Sequence, residues 1–215
     1  MCPSRCRGDD HFAYQRRVFE GYEHSALQLI SSYENLSQEA VLGPLVDFLP
    51  GPDAHVLDVG AGPGTLAAWL VEHGFLVTAV EPVARFRDHA QTSYRHLEIE
   101  WFDASLPNLT NLPKDQTSFD AALAIGVLHH LNPQDQKTAI EALATRLKPS
   151  GRLILSLRHG PCPVDRPGFP ICADDLVTVA QHAGLKVLHR SGHASLQEGN
   201  RYAGVTWTKL AFEAD

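Results

Sequence analysis

Gly60, Gly62 and Gly64 stand at alternate positions behind an apolar run with a single acid in it, His55-Val56-Leu57-Asp58-Val59. A strand that ends in glycine-rich backbone lets a ligand reach main-chain atoms with no Cβ in the way, and a helix opening there presents unpaired N–H groups. About twenty residues on, a second apolar run ends in Val80-Glu81-Pro82, where nucleoside-binding α/β sheets place a carboxylate that accepts both ribose hydroxyls. Together the two segments predict a nucleoside ligand. A dinucleotide fingerprint would need glycine at its first, third and sixth positions, and these fall on Gly60, Gly62 and Thr65, which disfavours a nicotinamide-dependent oxidoreductase. A third cluster, His129-His130, lies just past the apolar run Phe119–Ile125, where an imidazole can act as general base.

Bringing these groups to one place requires a parallel sheet. Val18, Phe19, Tyr22, Ala26, Leu27 and Ile30 recur at mostly helical intervals, and a second short helix is expected over Gln38–Phe48. Past Pro50-Gly51-Pro52, strand and helix patterns alternate, the signature of a parallel sheet with helices on both faces. Strands are expected over Ala54–Val59, Phe75–Val80, Leu97–Trp101, Phe119–Ile125, Leu153–Leu157, Leu185–Arg190 and Val205–Phe212. Between them one helix buries Leu66, Trp69 and Leu70 and stops at Gly74, and others cover Pro82–Ser93 and Asp174–Ala183. Asn132-Pro133 opens another, with a capping side chain before a proline at the first helical position. Lys148-Pro149-Ser150-Gly151 reads as a turn, and residues 158–171 as a proline-rich loop at the carboxyl edge of the sheet. At 215 residues the chain suits one globular unit, with a helical cap over residues 1–50 and a catalytic domain over 51–215.

Gly-x-Gly-x-Gly with an acid two residues earlier resembles the first motif of class I S-adenosylmethionine-dependent methyltransferases. Phe119-Asp120-Ala121-Ala122-Leu123-Ala124-Ile125-Gly126-Val127-Leu128-His129-His130-Leu131 is similar to the strand-four segment of their small-molecule members. The family's Leu-Lys-Pro-Gly-Gly turn is here Leu147-Lys148-Pro149-Ser150-Gly151, a departure that a turn tolerates. Tyr33-Glu34, Ser156-Leu157-Arg158-His159-Gly160-Pro161 and Val205-Thr206-Trp207-Thr208 resemble an uncharacterised bacterial branch. The resemblance implies an α/β, Rossmann-like seven-stranded, mostly parallel sheet with helices on both faces, its last strand antiparallel, and S-adenosylmethionine as cofactor. It assigns Asp58 to the cofactor's ammonium, Gly60, Ala61, Gly62 and Gly64 to the turn beneath it, and Glu81 with Pro82 to the ribose. Asp103, Ala104 and Ser105 would meet the adenine, with Ile125, Gly126 and His130 lining the same site.

Methyl transfer from a sulfonium is an in-line displacement, so alignment and exclusion of water are its main demands; orientation alone contributes about 7–11 kcal/mol. His129, His130 and His159 are the candidate catalytic residues. Arg158 and Arg166 are expected to pair with an acceptor's carboxylate or phosphate, and Tyr14, Tyr22 and Tyr33 to close the opposite wall. Enzymes of nucleic acid or of glutamine side chains carry Asn/Asp-Pro-Pro-Tyr/Phe after strand four, where this chain has Ile125-Gly126-Val127-Leu128. The formal charge of -7, with no basic tail, also argues against general nucleic-acid affinity. A small-molecule acceptor with an O, N or S nucleophile is therefore expected. The alternatives are a protein or nucleic-acid acceptor, or a cofactor-binding module without catalysis. Cys2, Cys6, Cys162 and Cys172 lack zinc-finger spacing and read as free thiols, so no metal is expected. No run approaches a membrane span, and Met1–Arg7 lacks the anatomy of a secretory signal, so a cytoplasmic location is expected, with room for a homodimer.

Overall fold

The structure, a computed structural model, describes residues 8–113 and 118–215; Cys2 and Cys6 lie outside the described residues. Seven strands, β1 (His55–Val59), β2 (Leu76–Val80), β3 (Ile99–Phe102), β4 (Phe119–Ile125), β5 (Leu147–His159), β6 (Leu185–Ala194) and β7 (Thr206–Ala214), build one sheet. Their order is β3-β2-β1-β4-β5-β7-β6. Neighbours among β1 to β5 are parallel, and β7 runs antiparallel to both β5 and β6. Because β1 has β2 on one side and β4 on the other, the connections diverge there and open a crevice at the carboxyl ends of the strands.

The helices are α1 (Gly8–Glu34), α2 (Gln38–Leu42), α3 (Thr65–Glu72), α4 (Ala84–Ser93), α5 (Pro133–Ala144), α6 (Ala173–His182) and α7 (Glu198–Tyr202). Side chains alternate across the strands, so Leu57, Val59, Ala122, Ala124, Leu153 and Leu155 face α5 and α6. Val56, Ala121, Leu123, Ile154 and Ala211 point the other way, onto Leu42, Leu45, Leu66 and Leu70. Asn132 opens α5 by accepting from the backbone N–H groups of Gln134 and Asp135, as the Asn-Pro signal predicts.

Four features differ from expectation. The second short helix divides into α2 and a 3-10 segment, Gly43–Phe48, because Pro44 has no N–H to continue the α pattern. The turn expected at residues 148–151 is the bulged beginning of β5: Leu147 pairs with Phe119, the register then shifts, and Ser150 takes φ 62°. Two short segments, Leu128–His130 and α7, carry no periodic signal and were not expected. Cys162 and Cys172 are free, and among the described residues no helix is long and apolar enough to cross a membrane.

Candidate active site

A cavity of about 690 Å³ lies over the carboxyl ends of β1, β2, β4 and β5 and the amino end of the antiparallel β7, and reaches up to α1. Asp58 near the end of β1 and Glu81 just past β2 are both buried in its floor. Asp58 Oδ2 has no hydrogen-bond partner. Burial, then the charge of Glu81, raises the Asp58 carboxyl to about 7. Glu81 accepts from the Gly62 N–H at 2.8 Å with one oxygen and from the Val83 N–H at 2.8 Å with the other. Burial still lifts it to about 7, against the two N–H groups and Arg87. Each of its oxygens keeps a second lone pair for a ligand hydroxyl.

The glycines of the turn divide their work. At Gly62, φ is 57° and a Cβ would enter open space, so its backbone is accessible to a ligand. At Gly64 a Cβ would come within 2.8 Å of Ala90 Cβ and 3.1 Å of Trp101, so this glycine serves the packing of α3 and lies outside the cavity lining. Gly60, Ala61, Pro82, Ala104, Ser105, Ile125 and Gly126 all line the cavity. Asp103 does not: its exposed carboxylate turns away to pair with Arg87 at 3.0 Å.

His130 is held at both ring nitrogens. Its Nδ1 lies 2.8 Å from the Pro167 carbonyl, which can only accept, so Nδ1 carries the proton and Nε2 accepts from the Tyr22 hydroxyl, also at 2.8 Å. Burial, with Arg158 and Arg166 nearby, lowers its pKa to about 4 despite the Pro167 bond. The ring is therefore neutral. His130 and Tyr22 both line the cavity, and the Tyr22 hydroxyl has its pKa raised, chiefly by burial. His129 is buried against the His130 ring, centroids 3.9 Å apart, with Nδ1 unpartnered and its pKa well below the usual imidazole range, chiefly through burial and then through its neighbours His130 and Arg158.

The loop after β5 folds back onto α1. Arg17 donates to the Val164 carbonyl at 2.9 Å, Ser25 donates to Asp165 at 3.2 Å, and the Arg166 guanidinium sits 5.4 Å from the centroid of the Tyr22 ring. Arg158, Arg166, Tyr22 and Tyr33 line the cavity. Tyr14 and His159 are not brought to it. Tyr14 stacks on Phe169 at 4.5 Å, and His159 bonds Thr208 Oγ1 at 2.8 Å across β5 and β7.

One wall of the cavity went unrecognised in the sequence. It includes Ser156 on β5, His193 on β6, and Trp207 and Lys209 on β7. Lys209 is buried, and its ammonium donates to the Leu42 carbonyl at 3.0 Å and the Ala40 carbonyl at 3.5 Å. An unexpected lysine inside a terminal apolar strand was the signal available.

The donor set fits one kind of ligand. An unpartnered buried carboxylate oxygen suits an ammonium, and a neighbouring carboxylate held in place by backbone N–H groups suits vicinal hydroxyls. Residues 56–151, just under half of the chain, match the family described as a methyltransferase domain. An uncharacterized methyltransferase of Mycobacterium tuberculosis is 35% identical over 132 residues, 59% of this chain and 63% of that protein. The chain thus spans just under two thirds of the length of its curated mycobacterial relatives. Among solved structures, the 1,6-didemethyltoxoflavin-N1-methyltransferase of Burkholderia thailandensis superposes with a TM-score of 0.72 at 21% identity, over 100% of this chain and 94% of that one. The [4+2]-cyclase SpnF follows the same fold, with a TM-score of 0.69 at 19% identity over 94% and 96% of the two chains.

Proposed function

We infer that this chain, whose residues 56–151 belong to the methyltransferase-domain family, is a class I S-adenosylmethionine-dependent methyltransferase acting on a small-molecule acceptor. The observation that carries the reading is the buried, unpartnered Asp58 oxygen beside Glu81 at the tips of adjacent strands. Asp58 would hold the ammonium of the cofactor, Glu81 its ribose hydroxyls, and Gly62 its amino-acid end along open backbone. When bound, the cofactor supplies an electrophilic methyl group. The Burkholderia structure contains a small acceptor and S-adenosylhomocysteine in this fold, which supports both halves of the reading. The cavity volume also falls in the range of small-molecule sites, roughly 300–1,000 Å³.

The chain's own contribution to catalysis is alignment, enclosure and removal of a proton. Tyr22 Oη would take the proton of an acceptor hydroxyl or amine while passing its own to His130 Nε2; Nδ1–H stays on the Pro167 carbonyl and fixes the ring. Calorimetric titration with S-adenosylhomocysteine and, separately, with NAD tests the cofactor; tight binding of NAD alone would refute the reading. Incubation of the protein with a methyl-labelled donor and a metabolite extract then identifies the acceptor by the labelled product.

A further inference from the structure

Antiparallel pairing of β7 with its two neighbours aligns Arg158, Trp207 and His193 in one cross-strand row and Ser156, Lys209 and Ser191 in the next. Residues two apart share a face, so Trp207 and Lys209 point the same way, and both line the cavity with Arg158. The indole of Trp207 lies against the end of β4. A Cβ on Gly126 would stand 3.3 Å from its six-membered ring, so glycine there lets the ring rest on backbone and holds it still. A fixed indole facing a cavity is a stacking platform for a flat ring.

The charges around that platform have one sign. Asp58 and Glu81 are the only acids that line the cavity among the described residues, and both belong to the cofactor end. Beyond them stand Arg158, Arg166 and Lys209, in a chain whose formal charge is -7. Arg166 has Asp165 beside it at 3.4 Å, and Lys209 is engaged by two carbonyl oxygens. Among the described residues Arg158 contacts only neutral groups, the Gly160 carbonyl at 3.4 Å and Cys162 Sγ at 3.2 Å. One guanidinium without a carboxylate partner, next to a fixed indole, calls for a single negative charge attached to a planar body.

We propose that the methyl acceptor is an aromatic carboxylate, its ring stacked on Trp207 and its carboxylate paired with Arg158. The proposal rests on the methyltransferase reading and names the class of molecule which that site takes. Phosphate esters would bring two charges to a guanidinium that matches one.

The experiment uses the full chain saturated with S-adenosylhomocysteine and three probes, 2-naphthoate, 2-naphthamide and 2-naphthyl phosphate, with affinities read by calorimetry and by quenching of tryptophan fluorescence. The carboxylate is expected to bind at least tenfold more tightly than the amide, and more tightly than the phosphate ester. Arg158→Gln removes the advantage of the carboxylate and leaves the amide unchanged, whereas Arg158→Lys retains part of it. Trp207→Leu weakens carboxylate and amide together. Binding of S-adenosylhomocysteine to each variant reports that it is folded. Equal affinities for carboxylate and amide, tighter binding of the phosphate ester, or no binding of any probe by protein that does bind S-adenosylhomocysteine would overturn the proposal and leave the cofactor reading intact. Failure of S-adenosylhomocysteine itself to bind would bring down both.

Discussion

Asp58 and Glu81 are two acids buried side by side, both titrating at about 7. Their folded pKa values lie above those of the unfolded chain, roughly 4, so the folded state holds the extra protons between these limits. Stability of the ligand-free protein therefore falls as pH rises from about 4 through 7. Cofactor binding has the opposite slope. An ammonium on Asp58 needs the carboxylate, so affinity for S-adenosylhomocysteine should rise between pH 6 and 7, level off above, and release a proton at the lower pH. Calorimetry in buffers of different ionisation enthalpy measures that proton, and an affinity independent of pH would detach Asp58 from the cofactor. Asp58→Asn should cost about 1–3 kcal/mol of cofactor binding while raising the melting temperature of the free protein at pH 8, where it removes a buried charge. Once the acceptor is in hand, Tyr22→Phe and His130→Ala should each lower turnover by about a hundredfold or more, the range for a lost general base being roughly 10²–10⁴, with cofactor affinity unchanged. If only His130→Ala slowed the reaction, the hydroxyl would not be the relay.

At the scale of elements, the contact between α1 and the loop after β5 decides whether the dyad exists. Gly21 allows it: a Cβ there would fall 2.0 Å from the Asp165 carbonyl oxygen, so Gly21→Ala must push this loop off the helix. The expected result is faster cleavage by a protease at residues 160–170 and loss of turnover, with the urea midpoint of the sheet nearly unchanged; unaltered cleavage would show that the loop is held elsewhere. Those elements whose signal is local were readable beforehand. β4 spans the residues its apolar run implies, and the cap of α5 is the one Asn132 announces. β5 was read six residues short at its start because Lys148-Pro149-Ser150-Gly151 has the composition of a turn, and only pairing with β4 makes it strand. The candidate residues Asp58, Gly60, Gly62 and Glu81 were legible because they end their strands or follow them directly in sequence. Trp207 and Lys209 were not, since their neighbours Arg158 and Ser156 lie some fifty residues away and meet them only through antiparallel register.

For the whole molecule, a ligand that binds only the folded state stabilises it by about 2.7 kcal/mol at a hundred times its dissociation constant. For a chain of this size that corresponds to a rise in melting temperature of about 5–10 °C. Thermal scans with S-adenosylhomocysteine should show it, and Glu81→Ala should require a higher ligand concentration for the same rise. The cavity also has a genealogy written into its walls. The part proposed to hold the cofactor is built from positions 58–126, the histidine pair follows within positions 127–131, and the rest of the lining comes from positions 15–44 and 156–209. The segment matched by the methyltransferase-domain family, residues 56–151, stops short of Arg158 and Trp207, the two groups proposed to choose the acceptor. Replacing the flanks would change which acceptor is held while Asp58, Glu81 and His130 stay in place, provided Tyr22, which the first flank contributes, is kept. Chimeras that graft the two flanks of one relative onto the centre of another should accordingly inherit the selectivity of the flank donor.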